Sequence, residues 1–117
     1  DIGFPILRQY GIKATFYVLP FRVQKRLEAW KGALADGHEI GNHTLGHPCT
    51  GNFSWAKEDG VELEEYDLAR MKRELMGAND IIAQMLGIRP TTFAYPCGQT
   101  YVGCEGHTKS YVPLVAE

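Results

Sequence analysis

The chain has 117 residues, of which 44% are hydrophobic and 22% are charged, a composition typical of a folded domain and too apolar for a disordered segment. Twelve Lys and Arg residues against fourteen Asp and Glu residues give a net charge of -2, which argues against a nucleic-acid partner because phosphate binding favours a basic surface. No apolar run approaches the roughly 18 residues of a membrane span. We therefore expect one globular domain over residues 1–117, large enough to form a core without metals or disulfides.

The first third of the chain predicts a helix, a strand and a second helix. The spacing of one helical face is shown by Ile2, Ile6, Leu7 and Tyr10. Gly11 then stands where the C-terminal glycine of a helix is expected. Residues 14–19 are β-prone without polar alternation, which predicts a strand buried on both faces, as in a parallel sheet. One helix of about four turns is predicted next. Its apolar face recurs at spacings of three and four residues and is formed by Val23, Leu27, Trp30 and Leu34.

The rest of the chain continues this alternation. Residues 38–42 predict a short strand, and residues 48–63 a long connection that carries Phe53 and Trp55. Residues 58–67 contain six acidic residues, interpreted as a solvated surface leading into a helix rather than as a metal site. One apolar helix face ending at Gly87 is formed by Leu68, Met71, Leu75, Ala78, Ile82 and Met85. Residues 91–95 predict a further strand, so the fold class is α/β.

Two features carry candidate chemistry. His43 and His47 are four residues apart, a spacing that allows both imidazoles to reach one cation on one side of a helical turn. Two ligands do not complete a metal site, so this pair needs support from elsewhere in the chain. Cys49, Cys97 and Cys104 are an odd number, which leaves the redox state and the compartment open.

Three segments taken together resemble the polysaccharide deacetylase family, also called the NodB-homology domain or carbohydrate esterase family 4. The first is Lys13-Ala14-Thr15-Phe16-Tyr17-Val18. The second is Gly37-His38-Glu39-Ile40-Gly41-Asn42-His43-Thr44-x-x-His47. The third is Thr92-Phe93-Ala94-Tyr95-Pro96-Cys97-Gly98. The resemblance implies a distorted (β/α) barrel and a divalent metal, usually zinc, held by two histidines and one aspartate.

The resemblance also assigns roles to residues. His43 and His47 occupy the two histidine positions, and the backbone N–H of Cys97 would contribute to an oxyanion hole, at a position where the family commonly has tyrosine. Tyr95, Pro96 and Gly98 would border the substrate, and Gly98 would permit the tight turn. His38 and Glu39 are assigned to hydrogen-bonding support. The implied substrate is an acetylated carbohydrate, and the resemblance leaves the compartment open, since it allows a secreted, a periplasmic or a cytoplasmic protein.

The family's first motif, which supplies the catalytic base and the metal-binding aspartate, is not found in residues 1–117, and neither are its last motifs with the general acid. We therefore expect an internal fragment of such an enzyme, incomplete at both ends and inactive by itself. Three alternatives remain. They are a hydrolase of non-sugar C–N bonds, an inactive glycan-binding relative using Phe53, Trp55 and Tyr101, and a structural zinc module. The last would use Cys97, Cys104 and His107, with Cys49 as a possible fourth ligand.

Overall fold

The computed structural model describes residues 2–117. Helices and strands alternate over the first part of the chain, which confirms the α/β class, and short elements follow after residue 87. The helices are α1 (Gly3–Gln9), α2 (Pro20–Gln24), α3 (Leu27–Ala35), α4 (Ser54–Glu58), α5 (Leu68–Leu86) and α6 (Val112–Ala116). The strands are β1 (Thr15–Val18), β2 (Glu39–Asn42), β3 (Tyr101–Val102) and β4 (Lys109–Ser110). No helix among the described residues is long and apolar enough to span a membrane.

The strands β1 and β2 pair in parallel, with Thr15 opposite Glu39 and Val18 opposite Asn42. The predicted parallel pairing is therefore confirmed. The prediction that β1 is buried on both faces is wrong, because Thr15 is exposed and the Tyr17 side chain is 42% exposed. Val18 packs into the core, and the opposite face of β1 has no comparable covering layer among residues 2–117.

The single helix predicted after β1 is two helices. The break falls between α2 and α3 at Arg26, whose backbone angles of φ -140° and ψ 42° lie outside the helical region. A residue in this conformation interrupts the ladder of backbone hydrogen bonds. Val23 is fully buried, and Leu27, Trp30 and Leu34 after the break are half-buried and pack against the same apolar cluster. The apolar spacing therefore predicted the buried face correctly although it did not reveal the break.

The helix α5 is the central element and confirms its prediction. It begins after Asp67, whose carboxylate accepts a 2.7 Å hydrogen bond from Arg70 N, and it ends at Gly87 with φ 69°. Because the N-terminal N–H groups of a helix lack intrahelical acceptors, Asp67 supplies one. The α5 side chains enter two apolar clusters. One contains Leu63, Tyr66, Met71, Leu75, Val102 and Tyr111, and the other contains Val18, Val23, Ile40 and Ile82.

Residues 91–95 form one parallel bridge instead of the predicted strand. Phe93 pairs with Asn42, and the backbone bonds are Asn42 N to Thr92 O at 2.9 Å and Ala94 N to Asn42 O at 3.1 Å. This segment thus lies beside β2. The second sheet is the antiparallel pair β3–β4, in which Tyr101 is opposite Ser110.

The helix α1 ends as predicted, with Gly11 at φ 64°. Its apolar face is largely exposed among the described residues, since Ile2 is 79% and Tyr10 68% exposed. Phe4 of α1 packs against neighbouring elements, with ring-centroid distances of 5.3 Å to Phe16 and 5.2 Å to Trp30, and Arg8 of α1 forms a 2.7 Å salt bridge with Asp36.

Candidate functional site

The loop that carries the two candidate metal ligands follows β2 directly. Its backbone is unusual, because Thr44 and His47 have φ values of 70° and 56°, in the left-handed region that residues with a Cβ atom seldom adopt. Such conformations persist only where the surrounding structure holds them. Thr44 is fully buried, and its hydroxyl accepts a 3.0 Å hydrogen bond from His47 N.

Asn42, the last residue of β2, holds the start of this loop against α5. Its side-chain amide donates to Leu75 O at 2.8 Å and to Asn79 Oδ1 at 2.9 Å. Its Oδ1 accepts from Thr44 N at 2.7 Å. The Asn42 side chain is 3% exposed, so these contacts replace water for nearly all of its polar atoms.

Glu74 on α5 holds the other half of the loop. One carboxylate oxygen accepts from Leu45 N at 2.8 Å and from Gly46 N at 2.9 Å, and the other accepts from Tyr66 OH at 3.0 Å. This role was not predictable from the sequence, because Glu74 lies 29 residues from Leu45 and 28 from Gly46 and carries no local signal. Burial together with the adjacent Glu74 carboxylate raises the pKa of Tyr66 to about 12.

The structure brings His43 and His47 together, with 4.7 Å between their ring centroids. His43 Nδ1 lies 2.8 Å from Ala94 O. A carbonyl oxygen only accepts, so Nδ1 carries the hydrogen and Nε2 keeps its lone pair. Burial, and next the proximity of His43, lower the pKa of His47 below its usual value. Both effects favour the neutral imidazole, which is the form that binds metals.

The third sequence segment forms a tight turn beside these histidines. Cys97 has φ 55° and ψ 16°, and Gly98 N donates to Tyr95 O at 2.9 Å. Pro96 is fully buried beneath the turn, whereas Cys97 and Gly98 are exposed. The half-buried Tyr95 ring packs edge-on against Phe93. A groove of about 320 Å³ opens next to Gly98 and is also lined by Thr50, Leu63, Glu64, Gln99, Thr100, Tyr101 and Gly103.

A disulfide joins Cys49 to Cys97, and Cys104 is an exposed free cysteine. Ligand atoms of His47, Cys49 and Cys97 lie within 4.8 Å of one another, and no Asp or Glu of residues 2–117 belongs to that group. Sulfur atoms bonded to each other are not thiolates and do not serve as zinc ligands. The structural zinc alternative is therefore not supported, since the Cys97 sulfur is committed to Cys49.

Four other residues singled out from the sequence form contacts of their own. His38 is buried and its Nδ1 accepts from Ala14 N at 3.2 Å, as predicted for a hydrogen-bonding histidine. Hydrogen bonds from the Thr15 and Thr92 hydroxyls hold the pKa of Glu39 below its usual value. The rings of Phe53 and Trp55 stack with centroids 5.9 Å apart, and Trp55 lies 5.8 Å from the His47 ring.

The acidic segment is mostly solvated, as predicted, since four of its six acidic residues are exposed and only Glu62 and Glu64 are half-buried. Glu64 accepts hydrogen bonds from Thr50 Oγ1 at 2.5 Å and from Gly51 N at 2.8 Å. It therefore fixes the backbone just after the loop that carries His43 and His47. Asp67 caps α5, as expected for an acidic residue at a helix N-terminus.

The sequence profile of the family described as polysaccharide deacetylase matches residues 3–110. The chain belongs to the polysaccharide deacetylase family. The uncharacterized protein YlxY of Bacillus subtilis (strain 168) is 32% identical over 94 residues, which are 80% of this chain and 25% of that protein. A peptidoglycan-N-acetylglucosamine deacetylase of Bacillus cereus is 49% identical over 49 residues, which are 42% of this chain and 23% of that protein.

A solved structure gives the same family. The structure of peptidoglycan deacetylase PdaC from Bacillus subtilis superposes with a TM-score of 0.63 at 30% identity, covering 86% of this chain and 41% of that one. The 117-residue chain therefore matches about a quarter of the length of YlxY and less than half of the PdaC chain. The family resemblance predicted from the three sequence segments is confirmed.

Proposed function

We propose that this chain is part of a metal-dependent deacetylase that removes acetyl groups from an N- or O-acetylated carbohydrate. The observation that carries the proposal is the close approach of the His43 and His47 rings. The Ala94 carbonyl accepts a hydrogen bond from Nδ1 of His43, so the lone pair on Nε2 is available to a cation. A metal-binding histidine typically donates its other ring N–H in this way. The donor set fits a divalent ion, most simply Zn²⁺.

The proposed roles follow from the proximity of the histidine loop to the Cys97 turn. A divalent ion bound at His43 and His47 would supply Lewis-acid polarisation of the acetyl carbonyl and activation of water. The Cys97 backbone N–H would donate to the oxyanion that develops on the carbonyl oxygen. Gly98 and Tyr95 would border the substrate, with Pro96 supporting the turn from below, and the groove beside Gly98 offers room for a neighbouring sugar.

The carboxylate ligand and the base belong, in this proposal, to parts of the natural protein outside these 117 residues. Two imidazoles make an incomplete zinc site, and no acidic side chain of residues 2–117 clusters with them. We likewise propose that β1 and β2 belong to a (β/α) barrel whose other strands lie outside this chain. The 117-residue chain alone is then expected to bind zinc weakly and to show no turnover.

The experiment uses the protein as its source makes it. Zinc content and zinc affinity are measured for the wild type and for His43→Ala, His47→Ala and His107→Ala, together with acetate release from N-acetylglucosamine oligomers. His107 is exposed and outside the site, so His107→Ala is the matched control. We expect one zinc ion per chain, affinity at least tenfold weaker in the two site variants, and acetate release that falls with it. Unchanged zinc affinity in both site variants would contradict the proposal.

The names of the relatives suggest which acetylated carbohydrate to test first. PdaC and the Bacillus cereus relative are named peptidoglycan deacetylases, so we propose peptidoglycan glycan strands as the first polymer to assay. Simple cyclic imides and amides test the alternative of a non-sugar C–N hydrolase on the same fold. Turnover of those compounds without acetate release from any glycan would favour that alternative.

A glycan-binding role without catalysis is the second candidate, and the stacked Phe53 and Trp55 rings favour it. Both rings are partly exposed, at 46% and 37%, and aromatic faces of this kind suit the apolar face of a pyranose ring. Glycan binding that survives His43→Ala, in a wild type that releases no acetate, would establish this function in place of the first.

A further inference from the structure

The disulfide joins the two halves of the proposed site. Cys49 is two residues after the candidate ligand His47, and Cys97 carries the backbone N–H proposed to bind the oxyanion. The two cysteines are 48 residues apart in sequence, with 5.9 Å between their Cα atoms. From the sequence, both side chains were candidates only as ligands of a structural zinc site, and neither the family match nor the relatives assign them a role.

The Cys49 end of the crosslink is rigidly placed. Its side chain is fully buried. Its backbone forms a bridge with Glu62, in which Cys49 N donates to Val61 O at 3.1 Å and Cys49 O accepts from Leu63 N at 2.9 Å. Leu63 belongs to the apolar cluster around α5. Cys49 is therefore an anchor fixed to the core.

The Cys97 end is the part that needs an anchor. Cys97 is exposed at the apex of the turn and has a left-handed φ of 55°, which an L-residue adopts only when its surroundings impose it. The flank of the turn is held by Gln99, whose side-chain oxygen accepts from Thr50 N at 2.8 Å and whose carbonyl accepts from Tyr111 OH. The covalent bond to Cys49 extends this hold to the apex.

The same crosslink contacts a candidate metal ligand. His47 Nδ1 lies 3.7 Å from Cys49 Sγ. A disulfide sulfur has no hydrogen to give and is an acceptor only, so this contact favours the tautomer in which Nδ1 carries the hydrogen. Nε2 of His47 is then the nitrogen that keeps its lone pair, as in His43.

We propose that the Cys49–Cys97 disulfide is a positioning device that holds the Cys97 turn in register with His43 and His47, so that deacetylation depends on the oxidised state of this pair. The inference rests on the proposed function. Reduction by a dithiol breaks the S–S bond, and its two sulfurs take up two electrons and two protons to become thiols while the dithiol becomes a cyclic disulfide. Cys49 and Cys97 are positioning residues whose side chains do not touch the reacting atoms.

The first part of the test measures catalysis in the protein as its source makes it. We compare the oxidised wild type, the dithiothreitol-reduced wild type, Cys49→Ala, Cys97→Ser, the double variant and the control Cys104→Ser, whose thiol is exposed and unpaired. Removing one oxyanion donor typically lowers kcat by about 100-fold or more, so we expect a misplaced donor to lower kcat at least tenfold with KM changed less than threefold. The double variant should be no worse than either single one, because each breaks the same bond.

The second part uses a readout that does not need turnover. Hydrogen exchange is measured by mass spectrometry in the oxidised and reduced protein, with zinc content recorded for both. We expect exchange in residues 95–99 to accelerate at least tenfold on reduction, exchange in α5 to stay unchanged, and zinc content to stay unchanged. A purely structural crosslink would instead accelerate exchange in α5 as well and lower kcat only in proportion to the unfolded fraction.

The outcomes separate the two proposals. If the oxidised wild type releases acetate and all three crosslink variants keep kcat within threefold, the positioning role is overturned while the deacetylase proposal stands. If the oxidised wild type releases no acetate, the proposed function fails, and local acceleration confined to residues 95–99 still supports the positioning role. Exchange that is unchanged in that segment overturns it. Alkylation that labels Cys49 and Cys97 before any reduction also overturns it.

Discussion

Replacing Asn42 by Ala is expected to destabilise the protein by about 3 kcal/mol, because it removes three hydrogen bonds at a buried position. The magnitude follows from what each partner loses. Thr44 is fully buried, so its N–H, now without Asn42 Oδ1, bears a desolvation cost of about 1 to 3 kcal/mol. The two bonds given by the Asn42 amide to Leu75 O and Asn79 Oδ1 add about 1 kcal/mol together, since the half-buried Asn79 can turn to water.

Urea unfolding measures this change. With a slope of about 1.5 kcal/mol per molar urea for a domain of this size, the midpoint should fall by about 2 M. Asn52→Ala is the control, because Asn52 is exposed, and its midpoint should correspond to a change within about 0.5 kcal/mol. The same substitution should weaken zinc binding, since the start of the histidine loop at Thr44 loses its attachment to α5 and only the Glu74 contacts at Leu45 and Gly46 remain.

A loss below about 1 kcal/mol in Asn42→Ala would refute the reasoning, because it would mean that water or another acceptor satisfies Thr44 N. Normal stability with lost zinc binding would give a different conclusion. It would show that Asn42 acts on the loop geometry without contributing to the fold.

Two further predictions concern the β3–β4 turn and a buried tyrosine. Gly103 and Gly106 both have positive φ, but a Cβ at Gly103 would lie 2.6 Å from His107 O, whereas one at Gly106 meets nothing within 4 Å. Gly103→Ala should therefore lower the urea midpoint clearly more than Gly106→Ala. Equal midpoints in the two variants would contradict this prediction. Because the pKa of Tyr66 is raised to about 12 in the folded state, its contribution to stability is complete below about pH 10 and is lost as pH rises towards 12. Between pH 9 and pH 11, the urea midpoint should therefore fall more in the wild type than in Tyr66→Phe. An equal fall in the two proteins would exclude Tyr66 as the cause.

Local patterns predicted the elements whose signals are contained in a few consecutive residues. Helix α5 was predicted from its apolar spacing and from Gly87, and both depend only on 3.6-residue periodicity and on a left-handed C-terminal residue. The parallel strand β1 followed from its β-prone run. The four-residue spacing of His43 and His47 also indicated a shared site, and the structure places their rings 4.7 Å apart.

Predictions failed where a neighbour distant in sequence decides the outcome. Residues 91–95 have strand propensity but pair through one bridge, because extended pairing depends on the partner strand and not on propensity alone. The break at Arg26 left no mark in the apolar spacing, since Val23 before it and Leu27 after it pack into the same apolar cluster.

The sequence by itself determined the family, the alternation of helices and strands and the two candidate metal ligands, because each is written in short segments. Only the tertiary structure decided how the site is held. Glu74 reaches the histidine loop from α5, and Cys49 pairs with Cys97 while Cys104 stays free. Three cysteines allow three pairings, and a carboxylate on a helix surface resembles any other. These contacts join residues from 28 to 48 positions apart, so they exist only once the chain has folded.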